Sequence, residues 1–231
     1  MNQDSHMLMA TMQEMSDVSK GKLDIIVLRY MARRLHLTLH QLDQPDSLRR
    51  TRSQVYKLQE RGGRTHRIAI YQPEKLLAQV PLSFVGFISA RQKLLRPSII
   101  QAIQRADKRL VEELAGAPGV LSYSSLELRN GDWCNLVLLS DAGAKTHIKG
   151  SEMHKYAAYH LAHSYYEWIR LHNGVMPEGL DHMEMQLQKT KYYTFQAGQQ
   201  RPAIREFIYE LPCRAQAIAV STMVPAGTNA F

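Results

Sequence analysis

Cysteine is nearly absent: 231 residues contain only Cys134 and Cys213. Two are too few for a disulfide framework, so a reducing, cytoplasmic setting is expected. No apolar run approaches the roughly 20 residues that a helical membrane span requires. The N-terminus, MNQDSHMLMATMQEM, lacks the basic start and apolar core of a secretory leader. No Gly-rich phosphate loop is present, because Arg61-Gly62-Gly63-Arg64 is too short for one. A Gly-x-Ser-x-Gly elbow is missing too, and Cys134, placed mid-strand, reads as inert packing rather than a nucleophile. Internal repeats and low-complexity tracts are also missing.

What is present suits a chain that can bury a core: 45% apolar and 22% charged residues. The formal net charge of +8 is concentrated in one stretch. Residues 20–67 carry twelve Lys/Arg against four acids, and the rest of the chain balances to zero. That asymmetry divides the chain into a basic segment and a neutral body. The expected organisation is a disordered tail over 1–19, a basic helical extension over 20–75, a folded domain over 76–212 and a C-terminal tail over 213–231.

Leu23, Ile26, Val27, Tyr30, Met31 and Leu35 recur at helical spacing and predict a helix over 22–42. A second, polar helix is expected over 47–61, ended by Gly62-Gly63, and then a short strand at Arg67 to Tyr71. Leu82 to Ala90 is apolar and rich in β-formers, so it predicts a buried strand. Ser98, with Gln101 completing a capping box, opens a helix running to about residue 115. Val120 to Leu128 and Trp133 to Leu139 flank Asn130-Gly131, a strong hairpin signal. Gly150-Ser151 starts a helix expected to reach His172. Strands are predicted at Met183 to Phe195 and Ile204 to Leu211.

From residue 82 this order is β-α-β-β-α-β, which predicts an α+β, ferredoxin-like unit with helices on one face of its sheet. The other face needs a cover. Either two sheets pack face to face in a homodimer, or the N-terminal helices cover the sheet within one chain.

Residues 82–195 resemble the dimeric α/β-barrel superfamily of antibiotic-biosynthesis and haem-degrading monooxygenases. The resemblance rests on the element order, on the strand GDWCNLVLLSD after the hairpin, and on SEMHKYAAYHLAHSYYEWIRLHNG with its Ser-x-x-His start. It implies a monooxygenase-like or other haem-linked oxidoreductase acting on a hydrophobic small molecule held between helices and sheet. Haem is then the candidate cofactor, with His154 as axial ligand or general base and Trp133 and Asn135 approaching from the sheet. The haem-degrading relatives carry an Asn on the first strand, and Ser83 to Ala90 contains none.

On a helix over 151–172, at about 100° per residue, His154, Leu161, Tyr165, Trp168 and His172 share one face. That face is expected to line the cavity. His160 and His163 share a more polar face, without a carboxylate or Cys to complete a metal site. The plainer alternative makes His154 a boundary residue, His172 a helix-end charge and the aromatics core packing. A second function follows from the basic segment: a non-catalytic binding or regulatory protein that docks an anionic partner through residues 49–67, using Arg49, Arg50, Arg52 and Arg64. Aromatics are sparse there, which argues against nucleic acid.

Overall fold

The structure, a computed structural model, describes residues 3–42, 54–78, 80–128, 131–196, 201–209 and 219–222, the backbone alone at 3–18, 42 and 219–222. The protein is α+β. Nine strands among the described residues form one sheet in the order β1-β2-β4-β5-β3-β6-β7-β8-β9. Every neighbouring pair is antiparallel.

α1 spans Gln3–Leu42 and so begins inside the stretch expected as a tail. β1 (Gln54–Glu60) and β2 (Arg64–Ile70) follow as a hairpin. This corrects the helix expected over 47–61, of which residues 47–53 lie outside the described residues. In β1, Tyr56 and Leu58 turn inward while Val55, Lys57 and Gln59 face solvent, a two-residue period that no helix supports. Gly62 and Gly63 make the turn at φ +83° and +74°, a conformation open to glycine. β2 pairs with β4, so residues from the basic segment extend the same sheet.

After the short α2 (Pro73–Ala78) come β3 (Leu82–Arg91), α3 (Pro97–Leu114), β4 (Val120–Glu127) and β5 (Trp133–Leu139). α3 starts with Pro97 at its first turn and Arg96 as its cap residue, with no side-chain cap. The Ser98 capping box is therefore not formed. Proline's fixed φ sets the start one residue earlier.

A 3₁₀ turn (Ala142–Ala144), α4 (Lys145–Gly150), α5 (Glu152–Tyr156), a π turn (Ala157–Leu161) and α6 (Ala162–Tyr165) form a segmented helical stretch. The expected cap is present: Ser151 Oγ accepts from the His154 amide at 3.0 Å. The helix does not reach His172. It stops at Tyr165, and β6 runs over Tyr166–Met176. The segment YEWIRLHNGVM is rich in β-branched and aromatic residues and finds a hydrogen-bonding edge on β3, so pairing overrides the helical spacing. α7 (Gly179–His182), β7 (Gln186–Thr194), β8 (Ala203–Tyr209) and β9 (Ala219–Thr222) complete the chain. β9 lies in the stretch expected as a C-terminal tail.

The two sheet faces are covered differently. α1 lies on the face of Phe84, Gly86 and Ile88, burying Leu28, Met31 and Leu35 against Leu136, Leu138 and Met176. Covering one face within the chain was one of the two solutions expected. α3 packs on the opposite face, where Val111 and Leu114 meet Val120, Tyr123 and Val137.

Candidate functional site

A cavity of about 210 Å³ lies between α3, α4–α6 and the sheet. Alternation decides which strand residues reach it. Val85 and Phe87 line it from β3, Asn135 and Val137 from β5, and Ile169 and Leu171 from β6. Small residues leave the space open on the helical side: Ala106 on α3, and Ala157, Ala158 and Ala162 on the π turn and α6. The π turn widens the helix beside the cavity, a feature frequent at functional sites.

Two expected catalytic residues meet here. His154 lines the cavity from α5 and Asn135 from β5. Burial holds the His154 imidazole below its ordinary pKa of 6.5, helped by the positive charge of Lys149, so it is neutral at neutral pH. A neutral ring can accept a proton. Asn135 Oδ1 is buried without a hydrogen-bond partner. An orphaned acceptor on a cavity wall is suited to a ligand donor.

The other sequence candidates fall elsewhere. Trp133 is half-buried and hydrogen-bonds the Tyr165 side chain. Tyr165 stacks edgewise on Tyr166 at 4.8 Å. It is Tyr166 that faces the cavity, while Tyr165 and Leu161 are buried outside its lining. Trp168 and His172 are corrections. Because the chain is a strand at that point, both project to the α1 face, opposite the cavity. The Arg170 guanidinium stacks 4.1 Å above the Trp168 ring.

His172 is fully buried between Thr190 Oγ1 at 2.8 Å and Asp24 Oδ2 at 2.9 Å. The hydroxyl–imidazole–carboxylate order resembles a nucleophilic triad. Thr190 is also fully buried, however, so no substrate reaches the hydroxyl. Burial opposes the Asp24 charge, yet the hydrogen bonds from His172 and Arg170 outweigh it and hold the carboxyl below its usual range. These groups anchor α1 to β6 and β7.

Sequence reasoning missed Asp107, Tyr123, Tyr166, Tyr193 and Phe195, all on the cavity wall. Asp107 accepts from Arg67 Nη2 at 2.6 Å and from the Tyr123 hydroxyl at 3.0 Å, so its charge is compensated. One signal was available: Asp107 is the only acid on the apolar row Ile103, Asp107, Leu110, Leu114. Burial keeps the phenols of Tyr123 and Tyr166 protonated and raises that of Tyr193 to about 12.

No family model matches the chain. No curated protein and no solved structure matches it either.

The basic segment presents less than its composition implies. Arg49, Arg50 and Arg52 lie outside the described residues. Arg64 sits on β2, where its Nε donates to the Arg61 carbonyl at 3.2 Å. Arg34 pairs with Glu60 at 3.0 Å and Arg67 with Asp107, so both serve internal ion pairs. No helix among the described residues is long and apolar enough to cross a membrane.

Proposed function

We propose that the protein binds a compact, mostly apolar small molecule in the cavity between α3, α4–α6 and the sheet. Asn135 accepts a hydrogen bond from this ligand and neutral His154 accepts a proton from it. The observation that carries this reading is the unpartnered Asn135 Oδ1 on a mostly apolar wall. Ligand sites commonly combine an apolar lining with few polar anchors.

The strand order β6-β3-β5-β4, with α3 crossing between β3 and β4 and α4–α6 between β5 and β6, supports a ferredoxin-like unit at the centre of the larger sheet. It is also consistent with the monooxygenase-like reading, whose relatives hold substrate between helices and sheet. α1 supplies the cover that face-to-face dimerisation would give, so the proposed cavity needs no second copy.

Haem does not fit this cavity. At about 210 Å³ it is smaller than the roughly 300 Å³ where sites for drug-sized ligands begin, and a haem macrocycle is larger still. His154 therefore acts, in this reading, on a small substrate and not on iron.

The test uses p-cresol, which combines an apolar ring with one hydroxyl donor. Titration into ¹⁵N-labelled protein is expected to shift the amides of Ala157, Ala158 and the Asn135 side chain together, and Asn135→Leu is expected to weaken the effect. Shifts scattered over the surface, or unchanged by Asn135→Leu, would sink the proposal. In parallel, hemin is expected to give no sharp Soret change. A change lost in His154→Ala would restore the haem reading.

A further inference from the structure

His36 and His40 lie four residues apart on α1, so both rings project from one side of the helix. α7 brings Asp181 against them. His36 Nε2 is 2.8 Å from His40 Nε2 and 3.0 Å from Asp181 Oδ1. The three ligand atoms all lie within 4.8 Å of one another.

The scaffold beneath them is packed. Leu35 and Leu39 flank His36 on α1, and Leu180 precedes Asp181 on α7. All three leucines are buried in the same core cluster. The two helices are therefore held in register by the core, with the ligand atoms at the edge. Asp181 remains 63% exposed.

Hydrogen bonding satisfies this cluster poorly. A neutral imidazole nitrogen carries either a proton or a lone pair. If His36 Nε2 donates to Asp181, it has no lone pair for a proton from His40. If it accepts from His40, its lone pair confronts a carboxylate oxygen. A cation at the centre removes the conflict, because all three atoms then direct lone pairs at it.

We propose that His36, His40 and Asp181 form a binding site for a divalent transition-metal ion of the zinc class. Two imidazoles and one carboxylate suit Zn²⁺, Co²⁺ and Ni²⁺. Mg²⁺ and Ca²⁺ favour all-oxygen sets. Bonds of about 2.0–2.2 Å need tetrahedral ligands about 3.3 Å apart, so the His36–His40 and His36–Asp181 contacts open by a few tenths of an ångström while His40 and Asp181 draw together. The remaining coordination position faces solvent and takes water. The site lies on the α1 side of the sheet, away from the cavity. There the ion clamps α1 to α7.

Titrating Co²⁺ into the metal-free full-length chain, followed by visible absorption, tests this, with Zn²⁺ calorimetry on the same sample. Expected are one saturable site, a d–d band displaced by Zn²⁺, and a raised melting temperature with Zn²⁺. His36→Ala, His40→Ala and Asp181→Asn should each weaken binding on the order of 100-fold, the upper range seen when supporting groups of metal sites are lost. His160→Ala and His163→Ala should leave it unchanged. Metal-free melts of the exposed Asp181→Asn variant control for folding. No saturable uptake overturns the proposal. Loss in the histidine variants with Asp181→Asn unaffected also overturns it, since that marks an adventitious helical His pair.

Discussion

Asp24 and Arg170, 146 residues apart, form a two-pronged ion pair: Nε reaches Oδ2 at 2.5 Å and Nη2 reaches Oδ1 at 2.7 Å. His172 Nε2 shares the same carboxylate at 2.9 Å. One acid on α1 thus neutralises or orients two groups on β6. Asp24→Asn leaves the Arg170 charge without its partner in a largely buried place. Breaking such a pair costs about 3–5 kcal/mol, and the partial exposure of Arg170 favours the lower end. Urea denaturation should show that loss. Adding Arg170→Met should recover much of it, because the unpaired charge goes too. Equal losses in the single and double variants would show that the pair itself contributes little.

Stability is expected to fall on the acidic side of pH 6.5. His66 is buried, with Nδ1 3.1 Å from Glu60 Oε1 and Nε2 without a partner. Burial lowers its pKa below the ordinary 6.5, and the opposing pull of Glu60 does not restore it. Protonation would put an N–H at Nε2 with nothing to accept it. The unfolded chain therefore takes up the proton first. The contribution is complete above pH 6.5 and is lost as pH falls toward the depressed folded value. His154, also depressed, acts in the same direction. Urea midpoints at about pH 7.5 and about pH 5.5 should differ more for the wild type than for His66→Gln. Identical differences would remove His66 as the source.

What the sequence made legible follows from local signals. β3 shows as an apolar, β-forming run, α3 as one apolar helical stripe and the β4–β5 hairpin by its Asn-Gly turn, and each forms where expected. His154 and Asn135 were legible because one follows a capped helix start and the other sits at a fixed strand parity. Residues 166–172 were not, since Tyr165, Trp168 and His172 satisfy a helical spacing while Trp168, Arg170 and His172 also satisfy a strand's. The open edge of β3, distant in sequence, decides between them. Partners such as Asp24 for His172 or Asp107 for Arg67 leave no local trace, because folding alone brings them together. β1 was hidden by its polarity: Lys57, Gln59 and Glu60 obscure the alternation of Tyr56 and Leu58.

At Gly86 the Leu28 side chain of α1 packs directly against the β3 backbone. A Cβ placed there would lie 2.5 Å from Leu28 Cδ1, and Leu28 is fully buried. Gly86→Ala should therefore destabilise by about 1–3 kcal/mol through overpacking. Leu28→Ala alone should cost about 2–5 kcal/mol through a cavity. The double variant should cost about 1 kcal/mol less than the two together, since the new methyl occupies part of the space vacated. Strict additivity would mean that α1 can shift away from β3 without losing its core.

Asn135→Leu separates the needs of stability from those of binding. Leaving an amide oxygen buried and unpaired costs about 1–3 kcal/mol. An apolar side chain of similar size removes that cost and adds packing to the cavity wall. The substitution should raise the unfolding free energy by about 1 kcal/mol or more while weakening p-cresol uptake. A cavity polished only for stability has no reason to keep an amide there, and one built for a ligand does. Val137, beside it on the same wall, offers the control: Val137→Ala enlarges the space and lowers stability without touching the polar anchor. If Asn135→Leu is destabilising, Oδ1 has a partner in solution, and the amide belongs to the core rather than to a binding site.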